Sequence, residues 1–151
     1  VAKAAKTVPQ PELNEFLCFA VYSANHAFNR VYKPLLEALG LTYPQYLAMV
    51  VLWAEDDQTV GSLGEKLALE SNTLTPLLKR LEALGHVSRN RDPRDERQVR
   101  VRLTDQGRAL QAEARNVPRS ILSATGLSVE ELGRLQADIV SLNERLRAAG
   151  I

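Results

Sequence analysis

"ESNTLTPLLKRLEALGHVSRNRDPRDERQVRVRLTDQG", residues 70 to 107, changes its hydrophobic period halfway along. Before Gly85, Leu74, Leu77, Leu78, Leu81 and Leu84 recur at helical spacing and make one apolar stripe. The opposite face carries Asn72, Thr73, Thr75, Pro76, Lys79 and Arg80, with Ser71 placed to cap the start and Gly85 to stop the end. After Gly85 the period becomes two. Val99, Val101 and Leu103 fall on one face and Arg100 and Arg102 on the other, after the turn-rich "RDPRDER". The stretch therefore predicts a helix of about residues 71 to 84 followed by a β-hairpin with a charged tip.

Working outward, "TVGSLGEKLAL" (59 to 69) supplies a second short helical pattern, joined to the first near Glu70. Two short helices and a hairpin, in that order, spell a winged helix-turn-helix. Further upstream, a long helix is expected from about Pro11, broken or kinked at Pro34 and ended near Gly40. Thr42 and Gln45 make a capping box that opens a helix reaching Trp53, apolar nearly all round and so central. Downstream, Thr104 and Asp105 start a helix interrupted around Pro118 and finished before Gly126. Ser128 with Glu131 forms another capping box. Leu132, Leu135, Ile139, Leu142 and Leu146 then repeat as a coiled-coil seam. The expected fold class is mainly α with a small β-hairpin, one unit over 1–151.

Bulk composition fits that size. The chain has 151 residues, 45% apolar and 25% charged, enough for one core. No apolar run could span a bilayer, and the start lacks the apolar region of a secretory signal. One cysteine excludes an internal disulfide framework and points to a reducing, cytoplasmic setting. Neither a cofactor nor a metal is expected.

Net charge is only +1, but it is unevenly spread. Lys79, Arg80, Arg89, Arg91, Arg94, Arg97, Arg100 and Arg102 face only Glu82, Asp92, Asp95 and Glu96 in the same segment. A basic segment on a near-neutral body marks a local anionic partner. In double-stranded DNA, small polar groups at Ser71, Asn72, Thr73, Thr75 and Pro76 would meet base edges in the major groove, with Lys79 and Arg80 on phosphate or guanine. Arg94 and Arg97 would reach an adjacent minor groove, with Asp95 orienting Arg97.

The other dense cluster lies between residues 16 and 46. Cys18 is the only cysteine, and Tyr22, Tyr32, Tyr43 and Tyr46 are all the tyrosines. Tyr22 is one helical turn from Cys18 and can share its face. Tyr32, fourteen residues on, is about 21 Å away along a straight helix. It could reach only the Cys18 of a second copy, running antiparallel across a two-fold axis. Phenolic O–H groups donating to sulfur would favour a reactive thiolate. A buried cysteine among packing tyrosines is the bland alternative.

The 70–107 stretch resembles the MarR family of winged-helix repressors, most specifically in Asp95-Glu96-Arg97 before the strand ending Leu103-Thr104. The resemblance implies a homodimer on palindromic operator DNA, with 11–40 and 105–149 as dimerisation helices and 42–103 as the DNA-binding lobe. "NEFLCFAVYSANHAFNRVYKPLLEALGLTYPQYL", with "LTPLLKR", further resembles the organic hydroperoxide resistance regulators (OhrR). That implies Cys18 as the peroxide-reactive thiol, supported by Tyr32 and Tyr43 of the partner subunit and by Tyr22. It also implies repression by the reduced protein and release on oxidation by organic hydroperoxides. Some members carry a second, resolving cysteine, which this chain lacks. Either a low-molecular-weight thiol or overoxidation completes the reaction, or the position has become a serine; Ser120, Ser123 and Ser128 are candidates, with Ser123 favoured. A repressor relieved by a small aromatic ligand, with Cys18 structural, is the other reading within the fold. A thiol peroxidase is disfavoured for want of a His or Arg beside Cys18.

Overall fold

The computed structural model describes residues 9 to 150. A 3-10 turn at Leu13–Glu15 precedes α1 (Leu17–Glu37), then α2 (Tyr43–Ala54), β1 (Gln58–Thr59), α3 (Val60–Leu67) and α4 (Ser71–Ala83). The hairpin is β2 (Val87–Arg91) and β3 (Val99–Leu103). It is followed by α5 (Asp105–Glu113), a 3-10 turn at Ala114–Asn116, α6 (Val117–Thr125) and α7 (Val129–Ala148). The winged helix-turn-helix expected from the sequence is present, mainly helical with a small antiparallel sheet.

The helix α1 begins later than expected and ends at Glu37, close to the stop expected near Gly40. Glu12 and Glu15 form a reciprocal capping box around the first 3-10 turn, and Phe16 is extended at φ −89°, ψ 118°. The α-helix therefore starts at Leu17, not near Pro11. At the other end Pro34 neither breaks nor terminates it, since α1 continues to Glu37. Proline removes the bond to the carbonyl of residue 30; Arg30 and Pro34 are both exposed, so water can satisfy that oxygen.

The core sits in the middle of the chain. Met49 and Leu52 of α2, Leu63 of α3, Leu74, Leu78 and Leu81 of α4, Val87 of β2 and Val101 of β3 are fully buried or nearly so. Each buried leucine contributes roughly 1.5–3 kcal/mol over its exposed state. Leu84 departs from the expected stripe and is 44% exposed, because α4 closes at Leu84 and Gly85 turns away with φ +86°. The α4 N-cap is Glu70 rather than Ser71, with no side-chain cap. By contrast, Thr42 and Gln45 cap α2 reciprocally as expected.

Two features of the sheet escaped the sequence. The strand β1 pairs with β3 (Gln58 opposite Val101, Thr59 opposite Arg100), giving the order β1-β3-β2. In addition, Trp53 Nε1 donates to the Gly107 carbonyl at 2.9 Å, pinning α2 to α5. Thr104 caps α5 and donates to the Gly85 carbonyl at 2.6 Å, joining the end of the hairpin to the end of α4. The expected interruption before α6 begins at Ala114, ahead of Pro118, which occupies the first turn of α6.

The outer helices are built differently. Ser128 accepts from the Glu131 N–H at 3.1 Å to start α7, but the Glu131 side chain does not bond back, so the expected capping box is only half formed. No residue of α7 is buried. Its seam residues Leu135 and Ile139 stay about half exposed. They face Leu17, Ala20, Val21 and Phe28 of α1 across an apolar groove of about 520 Å³.

Candidate nucleic-acid interface and thiol site

The helix α4 presents one polar face. Ser71, Asn72, Thr73, Pro76, Lys79 and Arg80 are exposed and Thr75 half-buried, while Leu74, Leu77, Leu78 and Leu81 point inward. Its first turn has no side-chain cap, so its leading N–H groups are free for water or a phosphate oxygen. The helix is fastened to the hairpin through Glu82. That carboxylate accepts from the Arg89 backbone N–H at 2.9 Å and from Arg89 Nη2 at 3.2 Å. A groove of about 390 Å³ separates α3 and α4 from the wing, with Thr59, Thr75, Arg89 and Arg97 on its walls.

The wing tip is an ordered loop. Asp92 N–H donates to the Gln98 carbonyl at 2.8 Å, and Gln98 N–H to the Asp95 carbonyl at 2.9 Å. Asp95 Oδ1 accepts from both the backbone N–H and Nε of Arg97, each at 3.1 Å, the orienting contact expected from their spacing. The Arg97 side chain is 91% exposed and so free to meet a ligand. Arg94 N–H donates to Asp92 Oδ1 at 2.8 Å.

Below the tip lies a charged cluster that the sequence reading missed. Arg100 Nε and Nη2 bond the side chain and carbonyl of Asp57, each at 2.8 Å, and Nη1 reaches Asp92 Oδ2 at 3.3 Å. Arg102 Nε also lies 3.0 Å from Asp57 Oδ1. These hydrogen bonds from Arg100 and Arg102 keep the Asp57 carboxyl below the usual carboxylate range. For Asp92 the Arg94 backbone N–H does most of the same, with Arg100 adding to it. Asp57 and Arg100 are forty-three positions apart, and only the "DD" at 56 and 57 could have hinted at it.

Tyr32, with Tyr43 and Tyr46 of α2 beside it, lies toward the opposite end of α1 from the thiol. Tyr32 and Tyr43 meet with ring centroids 4.7 Å apart, and Tyr46 lies 6.0 Å from Tyr32. Burial, then the neighbouring phenols of Tyr43 and Tyr46, push the Tyr32 hydroxyl up to about 12. Burial raises Tyr43 and Tyr46 too. All three are therefore O–H donors at neutral pH. Cys18 is exposed in the first turn of α1, fourteen residues and about 21 Å from Tyr32 along a continuous helix. Tyr22 packs on Phe19 and edge-on to His26, at 6.3 and 4.4 Å. The late start of α1 corrects one expectation. A start near Pro11 would put Cys18 about two turns inside the helix, whereas it lies in the first turn. Of the three serines, Ser128 is occupied as a cap; Ser120 is half-buried and Ser123 exposed on α6.

A polar-faced helix beside an arginine-tipped hairpin defines a winged-helix DNA-binding regulator. Comparison with known proteins agrees. Residues 30–114 match the family described as transcriptional regulator SarA/Rot. The chain is 49% identical over 136 residues to the HTH-type transcriptional regulator TtmR of Methylorubrum extorquens, covering 90% of this chain and 70% of that protein. It is 42% identical over 135 residues to the organic hydroperoxide resistance transcriptional regulator of Bacillus subtilis, covering 89% and 92%. Among solved structures, reduced AbfR bound to DNA, from Staphylococcus epidermidis, superposes with a TM-score of 0.77 at 38% identity, covering 88% of this chain and 91% of that one. The disulfide-formed state of AbfR gives 0.61 at the same identity, covering 88% of each chain. The chain belongs to the MarR family of winged-helix transcriptional regulators and is a relative of the organic hydroperoxide regulators within it. Among the described residues no helix is long and apolar enough to cross a membrane.

Proposed function

We propose that this regulator is a homodimeric repressor that binds palindromic operator DNA in its reduced state and releases it when an organic hydroperoxide oxidises Cys18. The observation that carries the reading is the separation of the two halves of a thiol site. A donor pair, Tyr32 and Tyr43, stands at one end of α1 and an exposed thiol at the other, beside an apolar face left uncovered among the described residues. Antiparallel pairing of α1 with α1 of a second copy would complete both sites at once. In that arrangement 11–40 and 105–149 are dimerisation segments and 42–103 reads DNA. Ser71, Asn72, Thr73, Thr75, Pro76, Lys79 and Arg80 then meet the major groove, and Arg94 and Arg97, with Asp95 behind Arg97, the minor groove.

The thiolate attacks the distal peroxide oxygen and the O–O bond breaks. The alkoxide leaves as alcohol after taking a proton, for which the Tyr32 and Tyr43 hydroxyls are the nearest donors in the composite site. The sulfenic acid then condenses with a low-molecular-weight thiol, giving a mixed disulfide and water. Supporting this reading is the kinship with a hydroperoxide regulator.

The test is release of a duplex selected by the reduced protein from a random-sequence library. One equivalent of an organic hydroperoxide releases it from the wild type and leaves it bound to Cys18→Ser; equal release from both rejects the sensor. A second reading draws on an apolar cavity of about 250 Å³ among Phe28, Val31, Ile121 and Leu132. There a small aromatic ligand relieves repression and Cys18 is structural; release of Cys18→Ser by an aromatic acid would establish it.

A further inference from the structure

The DNA-contacting arginines of the wing sit on a loop whose inside is closed by its own bonds. Asp92 to Gln98, Gln98 to Asp95, and Arg91 Nη1 to the Glu96 carbonyl at 2.8 Å fix its shape. Glu82 ties β2 to the recognition helix at Arg89, and what remains to be fixed is the angle of the tip beyond it. A two-stranded ribbon is marginal alone and twists freely, so something must anchor its base.

Arg100 lies where that anchor is needed. It stands on β3, the central strand, opposite Thr59 of β1 and Asn90 of β2. Its guanidinium points in two directions, to Oδ1 and the backbone carbonyl of Asp57 just past α2 and to Asp92 at the foot of the tip. Asp92 is 8% exposed and uses its two carboxylate oxygens separately, Oδ2 for Arg100 and Oδ1 for the Arg94 backbone N–H. A continuous chain of polar contacts thus runs from the end of α2 to the backbone of a tip arginine. Asp57 is held at φ +56°, a left-handed conformation that non-glycine residues seldom adopt, which presents its side chain and its carbonyl to one guanidinium. Only a planar fork with several donors can serve all these acceptors; lysine cannot.

We propose that Arg100 is the positioning residue of the wing, clasping Asp57 behind it to Asp92 ahead of it and so setting the reach of Arg94 and Arg97 into the groove. Arg100 touches no DNA in this role and acts through the tip. The inference rests on the DNA reading above.

The test is a double-mutant cycle in the reduced, full-length protein, with the library-selected duplex as probe and Arg97→Ala as the second change. Arg100→Met weakens binding about tenfold alone, within the range of a single minor-groove or base contact. In the Arg97→Ala background the same change costs less than about twofold, because the contact it positions is gone. Arg100→Lys fails to rescue. Full additivity of the two losses, rescue by lysine, or wild-type affinity in Arg100→Met overturns the proposal. Where circular dichroism shows Arg100→Met unfolded, the isosteric Asp92→Asn takes its place and the same additivity decides. If Arg97→Ala itself leaves affinity intact, the assignment of the wing to DNA has failed instead, and the clasp has no such contact to position.

Discussion

Leu78 and Ile139 are both aliphatic residues on amphipathic helices, yet Leu78 is fully buried and Ile139 is 46% exposed. The same contrast separates two regions. From α2 to β3 the chain covers its own apolar stripes, with α4 packed on α2, α3 and β2. Along α1 and α7, apolar side chains line a groove that nothing among the described residues fills: Leu17, Val21, Phe28, Leu135 and Ile139. A contiguous exposed apolar surface of this kind marks an interaction face rather than a core. The middle lobe closes its own core, and under the proposed function the outer helices are the faces that a second copy covers.

That comparison breaks most visibly under charge. Leu135→Asp with Ile139→Asp should weaken dimerisation at least about a hundredfold, near 2.8 kcal/mol at 1.4 per tenfold, leaving the core unaltered. Sedimentation equilibrium reads it, and an unchanged dimer constant would place the interface elsewhere. Leu78→Ala should do the opposite, costing about 2–5 kcal/mol of folding stability by denaturant titration with the dimer interface untouched. Gly107→Ala comes next. A Cβ there would collide with the His86 carbonyl where α5 meets the end of α4, costing roughly 1–3 kcal/mol and a lower Tm.

The smallest effect is alkaline. Tyr32, raised to about 12, stabilises the fold fully below the ordinary tyrosine value near 10, and that contribution is lost as pH rises through 12. Phenolate absorbance should show several raised phenols, and Tyr32→Phe should remove the last of them to titrate.

How far the sequence could be read follows from the range of each signal. The period change at Gly85, the Thr42–Gln45 box and the Ser128 cap depend on neighbours within four residues, and each is where the spacing puts it. The start of α1 failed because an early acidic box closed a separate turn, and no break occurs at Pro34 because its lost bond faces water. Ser71 is a good capping residue, but the extended Glu70 occupies the cap position. The strand β1 is two residues long and is defined only by its partner. The Asp57–Arg100 and Asp56–Leu103 contacts span forty-three and forty-seven positions, and no periodicity encodes them. Of the candidate sites, the polar face of α4 and the Asp95–Arg97 contact were legible. The meeting of Tyr32 with Tyr43 follows from how α2 folds back on α1, which one sequence does not state.

Trp53 is the only tryptophan of the chain, and its indole N–H bonds the backbone of α5 while its ring stands edge-on to Tyr46 at 6.3 Å. The protein thus carries a built-in optical gauge at the junction of its two regions. Any rotation of α2 against α5 changes the polarity around one fluorophore and its excitation by one nearby phenol. Emission maximum and tyrosine-excited yield can therefore follow the lobe's motion in the unlabelled protein, in real time.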